Sequence, residues 1–317
     1  MTTTKTALAL DETIALEING SHQRVRRCAG RIGLPPLVVV QQGPGLPVLH
    51  EVAKFQRRLD LERDHLVVYW EQRGCGKASA EDARSVSLTR QVEDLRAIVR
   101  WVADRTQQRV LLFGISIGAT ISLLAAADDG ARDGAIRAVI ANSPDLQTRA
   151  GDAAVDRFLH EHVRRAGSRR LERALTKLGP PPYFEPRALQ RRAVLLADFG
   201  SIERGRTFNA LLRETLMAMV RTYGVSGAVQ ALRNMNIVQR ALLTEIESLD
   251  LFAHPPQISV PVHFVFGEQD ALTAAFMSSQ LPAVIGGPGT TAVRVADAGH
   301  LVHFDRPDIV RAITENA

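Results

Sequence analysis

The chain has 317 residues, 45% of them hydrophobic and 23% charged, which is enough apolar material for a core and excludes a disordered chain. Its formal net charge of +5 would suit a nucleic-acid or anionic partner, but the excess is local: residues 146–250 hold 17 Lys/Arg against 11 Asp/Glu, and the remainder 22 against 23. No zinc-finger spacing and no aromatic–basic nucleic-acid motif accompanies that charge, and no apolar run reaches membrane-span length. Cys28 and Cys75 are the only cysteines, and Asp11 and Glu12 interrupt the apolar residues of the N-terminus. A reduced, cytoplasmic setting without nucleic-acid or membrane partners is therefore expected.

Taken in chain order, residues 7–17 and 21–28 read as paired strands joined by a turn at Asn19-Gly20. The apolar runs 37–40, 65–70 and 110–113 then read as strands buried on both faces. Before the last of them Val92, Leu95, Ile98, Val99 and Val102 recur at helical spacing, with Arg90, Asp94, Arg96 and Arg100 between them. Residues 136–140 form another strand. From 146 to 250 no strand pattern occurs, only helical segments broken at residues 179–182 and near Gly200 and Gly224. Alternation resumes with a strand at 262–266, a helix near 272–280, a strand at 291–296 and a closing helix after Pro307. The fold class expected is α/β. A mostly parallel sheet flanked by helices is built from 1–145 and 251–317, with a helical cap inserted at 146–250.

The chemistry-bearing residues fall at strand ends. Gly114-Ile115-Ser116-Ile117-Gly118 lies between the strand 110–113 and the helix-forming run 119–127, where a serine on a sharp turn is exposed and glycines relieve crowding. A serine hydroxyl needs a base. Asp270 closes the strand that precedes it, and Ala298-Gly299-His300 follows the last strand, so a nucleophile (Ser116), an acid (Asp270) and a base (His300) are expected on one edge. Glu268 and Asp297 are rival carboxylates and His303 a rival imidazole. The Gly before His300 is read as serving a sharp backbone turn. An oxyanion hole requires two N–H donors, one from Ile117 and one from the loop 41–45, supplied by Gly43 or Gln42. This chemistry requires neither a metal nor a cofactor.

Gln41-Gln42-Gly43-Pro44-Gly45 resembles the HGGPG loop of proline iminopeptidases, and the segment from Glu71 to Lys77 resembles that family's DQRGCGRS segment. The resemblance covers most of 30–145 and 255–310. With the serine turn, Asp270 and His300 in that chain order, it implies an α/β-hydrolase fold, Gly43 as the second oxyanion donor, an architectural Arg73, and release of an N-terminal proline as an alternative activity. Gln41 and Gln42 depart from the family's His and Gly, Ile117 replaces a common Trp, and both glutamines are expected to shape substrate binding. A free-amine substrate would need carboxylates from the inserted segment, among Glu161, Glu172, Glu185, Glu203, Glu214, Glu245 and Glu247. Leu211, Leu212, Leu216, Met217, Met219 and Val220 fit either a pocket roof, with Met217 touching substrate, or the commoner packing of helix on helix. The Arg pairs 164–165, 169–170 and 191–192 are ordinary helix surface unless one steers an anion. A serine hydrolase acting on a small-molecule ester, amide or short peptide is the expected function, with a non-hydrolytic enzyme of the same fold or a ligand-binding protein as further alternatives.

Overall fold

The computed structural model describes residues 6–127, 129, 134–276 and 280–317. β1 (Leu10–Ile18) and β2 (Ser21–Ala29) pair antiparallel through Asn19 and Gly20, both at positive φ (49° and 72°). An Asn-Gly turn adopts that geometry at little cost, and its twist matches the strands it joins. β3 (Pro36–Val40), α1 (Val52–Arg58), β4 (Leu66–Glu71), α2 (Ala80–Arg84), α3 (Leu88–Thr106), β5 (Val110–Ile115), α4 (Ile117–Ala126) and β6 (Ile136–Asn142) follow. Four helices then intervene: α5 (Thr148–Ala166), α6 (Arg169–Leu178), α7 (Pro186–Asp198) and α8 (Phe208–Ile246). The chain ends with β7 (Val262–Gly267), α9 (Leu281–Val284), β8 (Thr291–Val295), α10 (Val302–Asp305) and α11 (Pro307–Asn316).

The eight strands order as β1-β2-β4-β3-β5-β6-β7-β8, parallel from β4 onward. Successive residues of one strand serve opposite layers. Val38 and Val40 pack into the core beneath α3 and α4, and Leu37 and Val39 into the core around α1 and Phe304. This is why the run is apolar at every position rather than alternating. α8 carries a non-helical residue, Gly224 (φ 73°, ψ 171°), so its first half leans over the sheet edge while its second half packs on the core through Val238 and Leu242.

One segment departs from the expected pattern. No helix spans 272–280. Residues 271–276 form turns, residues 277–279 lie outside the described residues, and the only helix described there is α9. The reason is local: Asp270 accepts the Leu272 amide at 3.0 Å and the Thr273 hydroxyl at 2.6 Å, and such short-range bonds compete with helix formation.

Candidate active site

Ser116 stands between β5 and α4 with φ 55° and ψ −128°, a conformation an L-residue adopts only under constraint. The flanking glycines supply that constraint. A Cβ on Gly114 would lie 2.4 Å from Ala119 Cα, and one on Gly118 would lie 2.2 Å from the carbonyl oxygen of Gln41. Both positions must be glycine for α4 to seat against β3 and β5. The Ser116 amide donates to Asn142 O on β6 at 2.9 Å. No side chain caps α4; the amides of Ala119 and Thr120 bond Ser116 O, at 2.8 and 3.3 Å.

His300 Nδ1 and Asp270 Oδ2 are 2.9 Å apart, and both side chains are almost fully buried. Burial opposes the charged imidazole, but the charge and hydrogen bond of Asp270, aided by Asp145, outweigh it and lift the ring above its usual range. The backbone of His300 is held on both sides, its amide by Ser201 O at 2.9 Å and its carbonyl by Asn142 Nδ2 at 3.1 Å. Ser116 and His300 line one cavity of about 680 Å³, with Asp270 behind the imidazole. Among the described residues no hydrogen bond joins Ser116 Oγ to the ring, a contact that commonly tightens only around substrate.

Gly43 lies against Ile117: a Cβ on Gly43 would meet the Ile117 Cγ2 methyl at 3.4 Å. Gln42 lines the cavity, and its Nε2 donates to both oxygens of Glu51, at 3.2 and 3.3 Å. Burial lifts the Glu51 carboxyl to about 7 despite the opposing charge of Lys54. Gln41 does not line the cavity: it is 1% exposed, and its Nε2 contacts Cys75 Sγ at 3.2 Å. Arg73 is architectural, as the resemblance implied, in a bidentate pair with buried Asp94.

The rival side chains lie in other surroundings. Glu268 and Asp297 are exposed. His303 is fully buried, stacks on Phe55 at 5.4 Å, and has no partner on either ring nitrogen among the described residues. Burial, with the positive charges of Lys54 and His300, pushes its pKa well below the usual value. The linkage sign follows: the unfolded ring takes up a proton near pH 6.5 and the folded one does not, so this histidine stabilises above pH 6.5 and its contribution is lost as pH falls. In urea unfolding at pH 7.5 and pH 5, the loss of stability should be smaller in His303→Phe than in the parent, by about 2 kcal/mol. An equal loss in both proteins would refute the assignment.

Leu211, Leu212, Leu216, Met217 and Met219 all line the cavity, Met219 is also fully buried in a core cluster, and Val220 is exposed. Glu214 alone of the seven insertion glutamates reaches the cavity wall among the described residues; Glu203 is buried against Lys54 at 2.7 Å. Arg192 also lines the cavity, paired with Asp152. Two site residues escaped the sequence reading. Asp145 lies three residues beyond β6, on the edge shared by Ser116 and Asp270, and the strand-end rule could have found it. Ser201, in the loop after α7, carried no sequence signal. The reading of Gly299 also changes: its φ is not positive, and glycine is needed because a Cβ would lie 2.9 Å from the carbonyl oxygens of Ser201 and Ile202.

A model of the alpha/beta hydrolase family matches residues 44–313. A Bacillus subtilis (strain 168) protein named "Probable aminopeptidase YbaC" is 24% identical over 291 residues, covering 87% of this chain and 86% of that protein. Among solved structures, the proline iminopeptidase of Mycobacterium smegmatis aligns with a TM-score of 0.65 at 16% identity, over 96% of this chain and 97% of its own. A proline iminopeptidase-related protein of Thermus thermophilus aligns with a TM-score of 0.60 at 19% identity, over 96% of both chains.

Proposed function

Because the chain belongs to the alpha/beta hydrolase family, we propose that it is a serine hydrolase that cleaves a small ester or amide through an acyl-enzyme on Ser116. The observation that carries this is the 2.9 Å Asp270–His300 contact beside a serine held at positive φ on the same cavity wall. In the first stage His300 accepts the Ser116 proton as Oγ bonds to the substrate carbonyl carbon. The imidazolium, held in its tautomer by Asp270, then passes that proton to the departing alcohol or amine. In the second stage water loses a proton to His300, attacks the acyl carbon and frees the acid, and the proton returns to Ser116. The amides of Ile117 and Gly43 stabilise the oxyanion in both stages. The helices of the insertion serve as a cap, with Met217 in its roof and Gln42 at its rim.

A second reading, release of an N-terminal residue from a short peptide, has one feature in its favour beyond the peptidase relatives. Asp145 turns its carboxylate to the cavity with no hydrogen-bond partner among the described residues, near His300, where an ammonium beside the scissile carbonyl would meet it. Burial lifts this carboxyl, and the charges of His300 and Arg192 pull it back. A fluorophosphonate should label the protein at Ser116. A panel of p-nitrophenyl acyl esters and of proline and alanine p-nitroanilides then separates the readings. Preference for the anilides, lost in Asp145→Asn, selects the aminopeptidase; preference for esters selects the esterase. No labelling and no turnover of either class would refute both.

A further inference from the structure

The loop between α7 and α8 meets the sheet edge at two points through one residue. Ser201 has no exposed surface. Its Oγ accepts the amide of Ala271, the residue after Asp270, at 2.9 Å. Its carbonyl oxygen accepts the amide of His300 at 2.9 Å, and the next carbonyl, Ile202 O, accepts Leu301 N at 2.9 Å. Asp305 clasps the same junction from the outside, taking the Arg204 amide at 2.9 Å on one oxygen and the Gly299 amide at 2.8 Å on the other. On the sheet side the acid and base loops are joined directly, Gln269 N to Ala298 O at 3.0 Å. Beyond Asp270 the link between them runs through Ser201. The loop is anchored in turn to α7, with Ser201 N donating to Leu196 O at 2.9 Å, and Leu196 lines the cavity.

We propose that Ser201 is a positioning residue: by holding the segment after the acid and the amide of the base at once, it sets the Asp270–His300 geometry from within the insertion. This rests on the serine-hydrolase reading. Apart from its contact with His300, the side-chain bonds of Asp270, to Leu272 and Thr273, lie within its own loop and do not fix that loop to the base. A buried hydroxyl that accepts the Ala271 amide supplies such a tie, and the same residue's carbonyl fixes the distance to His300. Ser201 is absent from the cavity wall, so its effect should fall on turnover and not on substrate affinity.

The test is Ser201→Ala on the full chain, with active sites counted by fluorophosphonate titration so that any loss of folded protein is divided out. The kcat per titrated site should fall about 10- to 100-fold, with KM within about twofold. Besides Asp270, the imidazole feels the charges of Asp145 and Arg192, and buried His303 lies within its field; none of these changes in the variant. In the wild-type protein the acid limb of kcat/KM should therefore lie above pH 6.5, because His300 must be neutral to accept a proton and its pKa is raised. In the variant that limb should move down toward 6.5 as the Asp270 contact loosens. Ser201→Cys keeps the volume but offers only a weak acceptor, and should shift both quantities in the same direction. Folded variants with wild-type kcat per site and an unmoved acid limb would overturn the proposal. A failure of the underlying reading looks different: the wild-type protein would resist labelling, or turnover would survive loss of Ser116.

Discussion

Ser116→Ala should lower kcat by a factor of about 10⁵ or more while leaving the fold intact. The hydroxyl is the only atom lost, and with it goes the covalent path; the oxyanion donors and the binding cavity remain and sustain at most a small residual rate. Nothing structural depends on that hydroxyl, since Oγ neither caps α4 nor hydrogen-bonds another described residue. The backbone cost of φ 55° is the same for alanine as for serine. The thermal midpoint should therefore stay within about 2 °C of the parent, because less than about 1 kcal/mol is at stake. Steady-state turnover of whichever substrate the panel selects, measured beside a melting curve, decides the matter. Retention of more than about one per cent of the parental rate would remove Ser116 from the reaction.

The largest effect on stability is expected at Arg73. Its guanidinium, 3% exposed, donates to both oxygens of Asp94 at 2.8 and 3.0 Å and to the carbonyls of Ile18 and Asn19. Asp94 also accepts Gln23 Nε2 at 2.7 Å and Asn19 Nδ2 at 2.9 Å, and Gln23 in turn accepts the Trp70 indole N–H. One buried cluster thus ties the β1–β2 turn, the end of β4 and α3 together. Arg73→Ala strands the Asp94 carboxylate in the core and should cost about 3–5 kcal/mol, about 5–8 °C in melting temperature. Arg73→Lys should recover only part of this, because an ammonium cannot reproduce the planar fork. Arg73 does not line the cavity, so kcat per folded site should change less than about threefold. A denaturant midpoint equal to the parent's would show that the network contributes nothing net.

The segment that contains Arg73 shows how far motif reading extends. Its resemblance to the QRGCG run of proline iminopeptidases implied an architectural role. The structure supplies the reason for its glycines: Gly74 and Gly76 both have positive φ, and a Cβ on Gly76 would collide with the Glu71 carboxylate. That carboxylate is itself held by Arg24 at 2.6 Å and by Tyr223 of α8. No periodicity could have announced a partner 152 residues away in the inserted helices.

What the sequence by itself determined is whatever short-range stereochemistry and burial pattern dictate. The Asn-Gly turn, the doubly buried strands, the glycine-flanked serine and the placement of Asp270 and His300 at strand ends all follow from the backbone requirements of a few neighbouring residues. In a parallel sheet those strand ends share one edge. What only the tertiary structure decided is which way side chains face once remote segments pack. Gln41 turned into the core, Leu211, Leu216 and Met217 of α8 came to line the cavity, Asp145 joined the same wall, and Gly299 proved to be needed for close approach rather than for a turn. Ser201 lies 70 residues from the amide it accepts. Contacts of that span depend on the path of the whole chain, and no local pattern encodes them.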